Sequence, residues 1–361
     1  MQVENDLGVM IPVQNVQVKV KDAWFRGDVT YTTSGGCWHV NDNYHNNMWM
    51  WVKFENGDVK VRDGRFWLGI RVVSDYAGRY NAPPYNNISV GYETGAADNT
   101  SNERMYWAAA HTVNTVGDYR TRAATAGIPL PRTGLNWYNR QGQGGAAAPM
   151  LQGNVFNSWP SFFAAILLPV PYAVASYTIL PDVVNRYDVN ETAADFNGTG
   201  YHELGHTSHY RVVGENYWFD YRNHIINNFG YGEFGDFAAI GSNPGKVALG
   251  EALGNFTGAI FGGTPEGGEF AEWENNFIPR GLMFDLGDNS PGEIVSDPNN
   301  GAVSGFDNIS GFTPAMIFSS LQPNVTSVRQ FRDRLRVLHL GSTPNTAGTY
   351  NTFVDIYDVF N

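Results

Sequence analysis

Residues 16–21 alternate strictly, with Val16, Val18 and Val20 separated by Gln17, Lys19 and Lys21. The same period of two returns in Met48-Trp49-Met50-Trp51-Val52-Lys53 and in Val59-Lys60-Val61. Successive side chains of a strand point to opposite faces, so this pattern predicts short strands, each with one buried face. The turn-forming stretches Ser34-Gly35-Gly36 and Glu55-Asn56-Gly57-Asp58 lie between them and predict antiparallel pairing. Residues 1–90 therefore read as a small N-terminal antiparallel β-sandwich. Its end is expected near Asn81-Ala82-Pro83-Pro84, where two prolines interrupt regular pairing. The aromatic group of Trp38, His39, Tyr44, His45, Trp49 and Trp51 reads as sandwich core, with stacking on sugars or peptide side chains as the alternative.

Past residue 100 the period lengthens. Tyr106, Trp107, Ala110, Val113 and Val116 recur three and four apart until Gly127 and Pro129, which predicts a helix. Similar runs cover 199–213, 217–228, 246–261 and 326–339, the last an amphipathic surface helix. The apolar stretch 162–180 is broken by Pro169 and Pro171 and reads as two short buried strands, because a membrane span needs ~20 apolar residues. No transmembrane segment is expected. The fold class is α+β: the sandwich over 1–90, then a mainly helical domain with a small sheet over 91–361.

Composition narrows the chemistry. Charged residues make up 16% of the 361 and aromatics 14%, so Asn, Gly, Ser and Thr must wet much of the surface, as in exported proteins. With a net charge of −12 the chain lacks the basic stripe of a nucleic-acid binder, and no nucleic-acid partner is expected. The single cysteine, Cys37, excludes an intrachain disulfide and thiolate zinc sites, so any metal must be held by His and carboxylate. No signal peptide follows Met1, and an exported form is expected to have lost its leader. Asp285, Asp288, Asp297 and Asp307 match no EF-hand loop and read as solvated turns, with a structural calcium held by their oxygens as the alternative. Nothing in the sequence sets an oligomeric state.

One segment carries a specific chemistry: His202-Glu203-Leu204-Gly205-His206. On a helix, residues four apart differ by only about 40° in direction and ~6 Å in height, so both imidazoles can reach one ion. Glu203 then leans over that ion without ligating it. Zinc held by three protein ligands keeps a position open for water, and a neighbouring glutamate can accept the water's proton. Zn2+ is thus the expected cofactor, with His202 and His206 as ligands and Glu203 as general base. His209 lies too far along the helix from His202 to share a tetrahedral ion and reads as a packing or supporting residue.

Glu251 is the expected third ligand. It stands inside Ala248-Leu249-Gly250-Glu251-Ala252-Leu253-Gly254, where a lone buried acid is costly unless paired or bound to metal. His224, Glu233, Asp236 and Asp220 remain alternatives. Asn255, one turn on, shares the face of Glu251 and suits a supporting bond to a histidine ligand. Tyr210, Tyr217, Tyr231, His224 and His339 are all candidates for stabilising a tetrahedral intermediate, and none is assigned.

His202 to His206 followed by a helical Glu251 resembles the gluzincin zinc metallopeptidases, the group of thermolysin and neprilysin. The longer string through Thr207-Ser208-His209-Tyr210, Val213-Gly214 and Tyr217-Trp218 is similar to secreted or lipid-anchored bacterial metallopeptidases. In those, the catalytic domain follows a sandwich like the carboxypeptidase regulatory domain. The resemblance implies a zincin core over 91–361 and a secreted or cell-surface address; it does not reach substrate choice, and the expected substrate is an extracellular protein, peptide or glycoprotein. Asn255 departs from it, since an aspartate commonly stands at that place. Two rivals remain: an adhesion or carbohydrate/protein-binding module with a structural metal site, and a zinc hydrolase of non-peptide amides.

Overall fold

Alternating segments of the first 92 residues form strands β1 (Gln2–Glu4), β2 (Met10–Pro12), β3 (Gln17–Asp22), β4 (Arg26–Tyr31), β5 (Met48–Lys53), β6 (Val59–Asp63), β7 (Ser74–Tyr80) and β8 (Gly91–Tyr92). A computed structural model describes residues 1–22, 26–41, 44, 47–65, 71–81, 85–94, 101–142, 146–151, 181–227, 243–262, 277–288, 294–296, 303–306 and 308–357. The expectations for 162–180, Pro83, Pro84, His45, Tyr231, Glu233, Asp236, Asp297 and Asp307 lie outside these residues. Strands β4-β3-β5-β7 form an antiparallel sheet, registered from Gln17↔Tyr31 and Gln17↔Lys53 onward. Its inner face is apolar: Val18, Val20, Met48, Met50 and Val52 are all buried. Trp49 and Trp51 alternate with the buried methionines and stand half-buried on the other face, so the reading of these two as core is corrected. Period two divides a strand into faces, and here the smaller Met and Val side chains took the inside.

Strand β6 departs from the antiparallel expectation. It pairs in parallel with β9 (Leu135–Gln141), which pairs in parallel with β10 (Val183–Tyr187). Val59, Val61, Leu135, Trp137, Val183 and Tyr187 share one face of these strands and are all buried, whereas Lys60, Arg140 and Arg186 on the other face are exposed. β1 also pairs β8 in parallel and β2 antiparallel. The compact unit holding these strands runs past residue 90, comprising Met1–Tyr119 and Arg132–Gly200. Within it the first part of helix α1 (Asn102–Ala126) packs by Trp107, whose indole N–H donates to the Glu4 carbonyl at 2.9 Å and whose ring lies 5.7 Å from that of Phe196.

The second unit, Arg120–Pro131 and Tyr201–Asn361, is mainly helical. It contains most of α2 (Ala193–Asn227), then α3 (Pro244–Gly262), α4 (Leu282–Asp285), a β11–β12 pair (Ile294–Ser296, Val303–Phe306), α5 (Pro314–Ser320), α6 (Val328–His339) and α7 (Ala347–Ile356). Local chemistry starts the last three helices. Thr313, Ser327 and Thr346 each accept a backbone N–H three residues on, and Thr346 forms a full capping box with Thr349. Helix α6 buries Val328, Phe331 and Leu335, as its pattern predicts, but Leu338, expected on the same apolar face, is exposed. The chain as a whole is α+β, built of small sheets and helices. No described helix is long and apolar enough to cross a membrane.

Helix α2 is broken once, at Gly214, with φ 78° and ψ 177°. A positive φ is open to glycine at little cost, and it stops the helix between the two runs expected at 199–213 and 217–228. A straight helix would carry Tyr221 ~22 Å beyond His206. The two rings instead have centroids 6.1 Å apart, so the chain turns back at the glycine. Glu215 ties the turn, accepting from Tyr210 Oη at 2.9 Å and from Arg222 at 2.5 Å.

Candidate metal centre

The first segment of α2 presents His202 and His206 on one face, as the four-residue spacing requires, and their Nε2 atoms stand 3.0 Å apart. Helix α3 places Glu251 beside them: its Oε2 lies 3.3 Å from Nε2 of His202 and 3.6 Å from Nε2 of His206. Tetrahedral bonds of ~2.0–2.1 Å hold neighbouring donors about 3.3 Å apart. Two imidazoles and a carboxylate with edges of 3.0, 3.3 and 3.6 Å therefore match the donor triangle of one small tetrahedral ion. Glu203 completes the group, its carboxylate lying within 4.8 Å of the ligand nitrogens of His202 and His206.

Two acids are buried here, Glu251 at 3% and Glu203 at 4% exposure, and their surroundings treat them differently. Burial pushes the Glu251 carboxyl up, but His206 and His202 outweigh it and hold that group below the ordinary glutamate value. Burial pushes Glu203 up to about 8, with His202 opposing and Glu251 adding to the rise. Its Oε2 has no hydrogen-bond partner among the described residues. One acid is thus suited to ligation and the other to proton exchange.

Tyr221 was not singled out by sequence reasoning. Its hydroxyl donates to Oε1 of Glu251, occupying one carboxylate oxygen while the other faces the imidazoles. The ring stacks on Trp218 at 4.5 Å and 14°, which fixes its plane. Burial, followed by the Glu251 charge, raises its phenol, so it remains a donor.

Glycines make the helix crossing possible, and the apolar run around Glu251 was the signal for them. A Cβ on Gly254 would stand 2.6 Å from Nε2 and 2.8 Å from Cδ2 of His202, so this ring lies flat on the α3 backbone. A Cβ on Gly250 would meet the Tyr221 ring at 2.7 Å, and one on Gly205 would overlap the Thr257 hydroxyl. Each glycine costs roughly 1 kcal/mol of helix propensity relative to alanine, and here each sits where a site residue or the crossing needs its space.

The other sequence candidates fall elsewhere. Asp220 is engaged by Lys246 at 2.5 Å, and His224 is buried near Phe277, with ring centroids 6.3 Å apart. His209 packs between Tyr217 and Trp218, neither ring nitrogen hydrogen-bonded among the described residues, and burial, then His206, lowers it to about 3. Asn255 is buried one turn after Glu251. His339 shares a 2.8 Å hydrogen bond with Ser319 near the surface. Asp285 is not in a solvated turn as expected: it is buried at the end of α4 and accepts from Tyr357 at 2.5 Å. Comparison of the chain with family models, with curated proteins and with solved structures finds no match.

Proposed function

We propose that the chain is a zinc-dependent endopeptidase of gluzincin type that hydrolyses peptide bonds in extracellular proteins or glycoproteins. The observation that carries this reading is the triangle of His202, His206 and Glu251 donor atoms, 3.0 to 3.6 Å on each edge, beside Glu203, whose Oε2 has no hydrogen-bond partner among the described residues. A purely structural zinc site fills its coordination with protein ligands and has no use for a buried base at its edge. The low charge content supports placing the enzyme outside the cell, secreted or anchored at its surface.

Zinc held by His202, His206 and Glu251 would supply Lewis acidity, bringing water within reach of deprotonation near neutral pH and polarising a substrate carbonyl. The protein residues do the rest. Glu203 accepts a proton on its free Oε2 and returns it to the departing amine nitrogen. Tyr221 holds the Glu251 carboxylate so that Oε2 keeps facing the imidazoles. Gly254 sets the plane of His202, and Trp218, with ring centroids 5.7 Å from those of His206, shields that imidazole from water.

The test pairs metal content with cleavage of a mixed protein and glycoprotein panel, in the native protein and in Glu203→Gln. One zinc per chain in both, with cleavage reduced by a factor of about 10²–10⁴ in the variant, is expected for loss of a general base. Full zinc with no cleavage by the native protein would favour a structural metal site and overturn the reading.

A further inference from the structure

The outer face of the β4-β3-β5-β7 sheet is unlike the rest of the chain. Cross-strand register puts Lys19 opposite Trp51 and Lys21 opposite Trp49, with Tyr76 and Arg79 facing the same two tryptophans from β7. The register shifts between Met50 and Trp51, leaving Ala77 as an extra residue, and Gly78 takes a φ of 133° there. This bulge is what brings Tyr76 and Arg79, three apart in sequence, to one face. The Trp51 and Tyr76 rings meet at 5.5 Å, and the Arg79 guanidinium lies 5.3 Å over Trp49. On this face Tyr76 is 50% exposed, Val29 52% and Tyr31 44%.

Charge is concentrated here as well. The chain has five lysines and a net charge of −12, yet Lys19, Lys21 and Lys53 all stand on this face, and no strand position on it is a carboxylate. Lys53 pairs with Glu55, while Lys19 and Lys21 have no ion-pair partner among the described residues. Unpaired cations interleaved with partly exposed rings suit a ligand that offers apolar ring faces and widely spaced anionic groups.

We propose that this sheet face binds an acidic polysaccharide, with sugar rings lying on Trp51, Tyr76 and Trp49 and carboxylates meeting Lys19, Lys21 and Arg79. Single-stranded nucleic acid also combines stacking with cations. It fits less well, because the Trp51 and Tyr76 planes are tilted by 45° and form no flat base platform, and a dense polyphosphate meets the field of an acidic chain. The site shares no residue with the metal centre.

Affinity electrophoresis of the full chain tests the proposal, with gels containing hyaluronan, polygalacturonate or chondroitin sulfate, and with neutral dextran and oligothymidylate as contrasts. Retardation by at least one acidic polysaccharide is expected, weaker in dextran and at high salt. The Lys19→Glu/Lys21→Glu protein should bind roughly tenfold more weakly, and Tyr76→Ala should lose a comparable factor. Both changes lie at the surface, and circular dichroism checks that each variant keeps its fold. Absence of retardation by all three acidic polysaccharides, unchanged binding in both variants, or tighter binding of oligothymidylate would overturn the proposal.

Discussion

The four-stranded sheet and the α2–α3 crossing solve the same burial problem in opposite ways. The sheet buries Val18, Val20, Met50 and Val52 and leaves its lysines in solvent. The crossing buries Glu203, His206, His209 and Glu251 and places Gly205, Gly250 and Gly254 in helices where alanine would be favoured. Burying acids and unbonded imidazoles costs several kcal/mol unless something compensates them. Local preference and global structure agree in the sheet and conflict at the crossing, and such conflict marks the place where a fold serves a function.

Metal removal tests that contrast most strongly. A ligand present at 1,000 times its dissociation constant stabilises the fold that binds it by about 4 kcal/mol. Chelation should therefore lower the melting temperature by roughly 10 °C. Hydrogen exchange should show lost protection in α2 and α3 and unchanged protection in β3 and β5. Equal loss in both regions would remove the distinction between them.

A smaller, pH-dependent effect comes from His209. Its folded-state value of about 3 lies below the ordinary imidazole value of 6.5, so the unfolded chain binds the proton more readily. The stability it contributes is complete above pH 6.5 and is lost as pH falls toward 3. Denaturant titrations of the native protein and His209→Leu should diverge across that window by about 1.4 kcal/mol per pH unit. Parallel pH profiles would show that His209 is not held neutral by burial.

The smallest prediction sets two glycines against each other. Gly254→Ala presses a methyl group into His202 and should cost ~1–3 kcal/mol of stability together with zinc affinity. Gly117→Ala, in α1 where no described residue outside the helix's own backbone lies within 4 Å of the added carbon, should stabilise by ~0.5–1 kcal/mol. The same sign in both would contradict the account of the crossing.

What could be read in advance follows the range of the interaction. The helices of α1, α3 and α6, and the interruption of α2 near Gly214, are written in local periodicity. The His202 to His206 motif is local too, and Glu251 betrayed itself as an acid in an apolar run. Tyr221 could not be read, because its role depends on a chain reversal that brings its ring to 6.1 Å from that of His206, fifteen residues earlier, and its hydroxyl to Glu251, thirty residues later. The parallel pairing of β6 with β9 was equally hidden, since alternation marks a strand and not its neighbour. The outward face of Trp49 and Trp51 did have a signal: Lys53 shares their parity and belongs in water.

The central claim is that His202 and His206, with Glu251, hold one zinc ion. Its most direct test is zinc per chain after dialysis against metal-free buffer, measured for the native protein and for His202→Ala/His206→Ala. The account predicts one zinc per native chain and close to none in the double variant. Equal zinc in both proteins, or none in the native one, would contradict it.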